Sequence, residues 1–70
     1  MSSQIAATTA LVMQTIETCR SLAADPQYNE YASNIARKAA ALEASPTALN
    51  AYNVLSDLKT IAQVIGTWDA

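Results

Sequence analysis

Histidine is absent from this chain, glycine and cysteine occur once each, and proline occurs twice. Each scarcity excludes something. With no imidazole and a lone Cys19, the Cys and His sets that hold structural zinc cannot be assembled. The same absence removes the usual activator of a serine or cysteine nucleophile. Gly-rich phosphate loops, EF-hand loops and Cys-x-x-Cys pairs are likewise missing. The chain is therefore not read as an enzyme, and no cofactor, metal or small-molecule substrate is expected. A single cysteine cannot close a disulfide within the chain, which fits a reducing compartment and makes the cytoplasm the expected location.

Charge is scarce too. Only 14% of residues are charged, six acids against four bases, for a net charge of −2. An exterior dominated by Ala, Ser, Thr, Asn and Gln carries little long-range field and little repulsion toward other protein. Uninterrupted apolar runs never exceed four residues, far below the roughly 18 that a membrane span needs. The opening stretch "MSSQIAATTALVMQTIETC" has no basic start and is broken by Thr8, Thr9, Gln14, Thr15 and Glu17. It is not read as an export signal.

What remains is a short chain rich in helix formers. Seventy residues make one domain, near the lower limit for a self-sufficient core. Pro26 and Pro46 divide it into three stretches of similar length. Apolar spacing predicts helices over residues 3–24, 26–44 and 46–65, hence an all-α fold: a three-helix bundle or orthogonal array, with a dimer as a natural accompaniment.

The first stretch aligns Ile5, Thr9, Val12, Ile16, Cys19 and Ala23, widened by Leu11, Thr15 and Leu22, with Ser2 or Ser3 as N-cap. The second aligns Tyr28, Tyr31, Ala32, Ile35, Ala39 and Leu42 behind an Asp25 cap with Pro26 at the first helical position. The third aligns Ala51, Val54, Leu55, Leu58, Ile61, Ala62 and Ile65 behind a Ser45 cap and Pro46, and Gly66 is its natural stop.

The helix pair around Ser45-Pro46 loosely imitates a helix-turn-helix, which makes a DNA-binding transcriptional regulator the competing functional reading. Chemistry weighs against it. Phosphate contacts need Lys and Arg, whereas the third stretch has only Lys59, beside Asp57, and the one basic pair, Arg37-Lys38, lies between Glu30 and Glu43. Nucleic acid is not an expected partner.

The preferred reading is a small protein-protein interaction module: an adaptor, chaperone, inhibitor or assembly subunit. Apolar and aromatic residues exceed what a minimal bundle needs, and Leu, Tyr and Trp are residues on which binding energy concentrates. The candidate contacts are Leu11, Met13, Tyr28, Tyr31, Leu49, Tyr52 and Trp68. For Tyr28 and Tyr31 packing at the bundle rim is the first reading and partner contact the alternative, and for Trp68 a plug on the bundle end is likewise read ahead of an anchor for a partner. Another protein, and a second copy of the same chain, are the expected partners.

Overall fold

The computed structural model describes residues 2–66, with side chains from residue 5 onward. It is all-helical: α1 (Ser2–Ala24), a 3-10 helix (Pro26–Tyr31), α2 (Ala32–Ala44) and α3 (Ala48–Ile65). Every pair of these elements is in contact, so the three α-helices close on one shared core. The expected bundle of three helices is what the chain forms.

The second predicted helix is split. Asp25 caps it as expected, its Oδ1 accepting from the Gln27 amide at 2.9 Å, but the chain then winds as a 3-10 helix. The Tyr28 amide donates to the Asp25 carbonyl at 2.9 Å, the i to i+3 pattern of that tighter winding. Three residues per turn place Tyr28 and Tyr31 on one side, where Tyr28 is buried and Tyr31 is half-buried against the core. An α-helix would also have brought the two together, so their spacing does not distinguish the windings.

The Ser-Pro corner also differs from expectation. Ser45 ends α2, its amide donating to the Ala41 carbonyl, and Pro46 lies outside α3. Thr47 is the N-cap, its hydroxyl accepting from the Asn50 amide at 3.1 Å. Asn50 secures the corner by donating Nδ2 to the Ser45 carbonyl at 2.9 Å. Two hydroxyl residues flank Pro46, and the one with extended backbone three residues ahead of a free amide takes the cap. Thr47→Ala is expected to destabilise the fold by about 1 kcal/mol. Ser45→Ala should cost less, because the Ser45 carbonyl keeps Asn50. Urea unfolding followed by circular dichroism measures both.

The far end of α3 is as read from the sequence. Gly66 has φ +90° and donates its amide to the carbonyls of Ala62 and Gln63, the left-handed stop that glycine adopts without strain.

The buried surfaces of the 3-10 helix, α2 and α3 match the sequence reading: Tyr28, Ile35, Ala39 and Leu42 meet Ala51, Val54, Leu58, Ile61 and Ala62. From α1 come Val12, Thr15 and Cys19. Thr15 is accommodated because its hydroxyl donates to the Leu11 carbonyl at 2.7 Å. No buried side-chain nitrogen or oxygen among the described residues lacks a partner.

The first half of α1 departs from expectation. Ile5 is 70% exposed and Thr9 is exposed, although both continue the core stripe. Helix length explains this: α1 has 23 residues against 13 in α2 and 18 in α3, so its first turns project past its neighbours. Ser2 and Ser3 both lie inside the helix rather than ahead of it.

Candidate functional site

α3 presents two surfaces. One is the core face. The other is an outer face on which Leu49 is 70% and Tyr52 61% exposed, three residues apart and therefore neighbours on the helix.

Beside this outer face lies a groove of about 540 Å³. Its floor and walls are apolar: Leu22 from the C-terminal half of α1, Tyr28 from the 3-10 helix, and Leu55, Leu58 and Ala62 from α3. Thr18, Ser56 and Lys59 supply its polar atoms. Tyr28 reaches the groove because Asp25 and Pro26 turn the chain at the end of α1 and carry the aromatic ring back toward α3. The volume falls in the range of ligand clefts, but the groove is open along one side, a shape suited to a ridge of side chains from another chain.

The sequence-predicted contacts separate into three groups. Leu49, Tyr52 and Met13, the last 64% exposed, stand on the surface. Leu11 and Tyr31 are half-buried against the core, and Tyr28 is 6% exposed. Tyr28 thus takes the packing role rather than that of a surface anchor, contributing only to the groove wall. Trp68 lies outside the described residues.

Met13 sits away from the α3 face, beside Ile16 and a cross-helix ion pair between Arg20 and Glu43. The groove residues Thr18, Leu22, Leu55 and Lys59 were not anticipated as a site. The i to i+4 spacing of Thr18 with Leu22 and of Leu55 with Lys59 places each pair on one helix flank, yet spacing alone does not say which flanks face each other.

Electrostatics adds little to this surface. The second ion pair, Lys38 Nζ to Asp57 Oδ2 at 3.0 Å, joins α2 to α3. Two of the four cations are thereby engaged with acids across helices, and the four are spread over all three α-helices. Burial pushes the Cys19 thiol up from its ordinary value, and the positive charge of Lys38 opposes this with a smaller effect. Among the described residues no group of three or more acidic, Cys or His side chains is placed to hold a metal ion, and no helix is long and apolar enough to cross a membrane.

No family model matches this sequence, and comparison with curated proteins and with solved structures returned no match.

Proposed function

We propose that this protein is a small helical binding module that grips another protein chain through the outer face of α3 and its adjoining groove. One observation carries the reading. Leu49 and Tyr52 stand exposed on α3 beside an apolar groove, while the core is complete without them. Two large apolar side chains next to a groove are anchors and sockets of the kind on which interface energy concentrates. Low charge density leaves affinity to packing, with little steering of encounter by long-range field. Adaptor, chaperone, inhibitor and assembly subunit are the roles such a surface serves, and the work is binding rather than catalysis. The unpaired, buried Cys19 fits a reducing setting such as the cytoplasm.

Affinity capture with the wild-type chain and with a Leu49→Ala/Tyr52→Ala double variant tests this. The variant should keep its helical circular dichroism, because both side chains are exposed, and should lose at least about tenfold in affinity for whatever protein the wild type retains. Equal retention by the two chains would overturn the reading.

A further inference from the structure

The groove between α1, the 3-10 helix and α3 is walled by two leucines that the packed helices leave incompletely covered. Leu22 and Leu55 are half-buried, and both line the cleft together with Leu58, Ala62 and the ring of Tyr28. The described chain stops at Gly66, one helical turn beyond Ala62, and Thr67, Trp68, Asp69 and Ala70 follow it. We infer that the side chain of Trp68 seats in this groove, so that the protein carries its own occupant for the cleft.

Three observations lead there. The first is direction. The Gly66 amide donates to the carbonyls of Ala62 at 2.9 Å and Gln63 at 3.2 Å, and its φ is +90°. A left-handed stop of this kind turns the chain off the helix axis and lays the residues after it against the closing turn. That turn begins at Ala62, the groove residue nearest the end of α3.

The second is reach. Two residues span at most about 7 Å, and Ala62 lies about 6 Å back from Gly66 along α3. The backbone of Trp68 can therefore draw level with Ala62, and its ring then extends along the groove toward Leu58. The other end of the chain is too far away, because Ser2 lies about 30 Å along α1 from Leu22. Asp69 and Ala70 offer only a charge and a methyl group, so Trp68 is the one large apolar side chain beyond Gly66.

The third is fit. An indole is broad, flat and mostly apolar, with one N–H at its edge that needs an acceptor when buried. The groove offers about 540 Å³ between leucine side chains and a tyrosine ring, and the hydroxyl oxygens of Thr18 and Ser56 supply acceptors. Resting on the binding role proposed above, Trp68 is then the side chain that a partner's ridge displaces on entering the groove.

Trp68 is the only tryptophan, so its fluorescence tests the proposal directly. In the folded chain its emission should be blue-shifted and its quenching by acrylamide several-fold weaker than in urea, and both should be unchanged on dilution. Nuclear Overhauser contacts should join the indole protons to the methyl groups of Leu22 and Leu55. Thr18→Arg, an exposed substitution that fills the groove, should raise the quenching several-fold with helical circular dichroism intact. Asn34→Arg, exposed on α2, should leave it unchanged. Quenching as strong in the folded chain as in urea, protection lost on dilution, or an equal response to the two arginine variants overturns the seat. In each of those cases loss of a captured protein on Leu49→Ala/Tyr52→Ala would leave the binding role standing. Equal capture by the wild type and that double variant would remove the binding role and leave the seat of Trp68 untouched.

Discussion

Leu42→Ala is expected to lower the stability of this protein by about 2 to 5 kcal/mol, the range for deleting a buried leucine with partial collapse of the cavity. Leu42 is 1% exposed and Ile35 is 0% exposed, and both come from α2. The other side chains of comparable burial, Thr15, Cys19 and Ala51, are small. Leu42 and Ile35, on the shortest α-helix, are therefore the largest of the fully buried side chains in the core. A domain of 70 residues has in total roughly 3.5 to 10 kcal/mol. The substitution thus removes at least about a fifth of the stability and, toward the lower end of that range, most of it. Midpoints should fall by about 10 °C or more. Ile5→Ala is the matched control: an aliphatic residue on the same predicted core pattern but 70% exposed, it should change stability by no more than about 0.5 kcal/mol. Urea unfolding of the three chains at one fixed protein concentration separates the two outcomes. Equal effects at residues 5 and 42 would mean that the core is not where the burial pattern puts it.

The contrast between Leu42 and Ile5 also marks how far the sequence could be read. Apolar spacing reports which side of a helix faces inward, and on α2 and α3 it picked out Ile35, Leu42, Val54, Leu58 and Ile61, all buried. It does not report whether a neighbour extends far enough to cover that side. Ile5 keeps the period of Val12 and Cys19 but lies on the part of α1 that outruns α2 and α3. Local punctuation has a similar limit. Asp25-Pro26 and Gly66 each have one physical solution nearby, and both act as read. Ser45-Pro46-Thr47 offers two hydroxyl caps, and only the backbone geometry of the corner selects Thr47. Of the surface residues, Leu49 and Tyr52 were legible as apolar positions in excess of a core. The groove beside them was not, since it arises where flanks of α1, the 3-10 helix and α3 converge, a relation that no single helix encodes.

Cys19 is expected to be silent toward thiol reagents in the folded protein and to limit stability at alkaline pH. Its side chain is 0% exposed in the C-terminal half of α1, in the same cluster as Ile35, Leu42 and Leu58. A reagent reaches it only when the fold opens, so labelling at neutral pH should be slower than in the urea-unfolded chain by the opening constant, a factor of several hundred or more for roughly 3.5 to 10 kcal/mol of stability. The same burial disfavours the thiolate and holds the thiol above the 9.0 of an exposed cysteine. At pH values below 9.0 folded and unfolded chains both carry the proton, and this group gives no slope. Above it the unfolded chain loses the proton while the folded chain retains it, so stability falls as pH rises toward the folded value. Cys19→Ala should abolish that component of the alkaline decline, which the difference between the two pH profiles isolates from the tyrosines and lysines. Lys38 works against the burial effect while held by Asp57 at 3.0 Å, so Lys38→Met should steepen the decline. A profile unchanged by Cys19→Ala, or labelling as fast in the folded chain as in urea, would mean that the thiol is open to water.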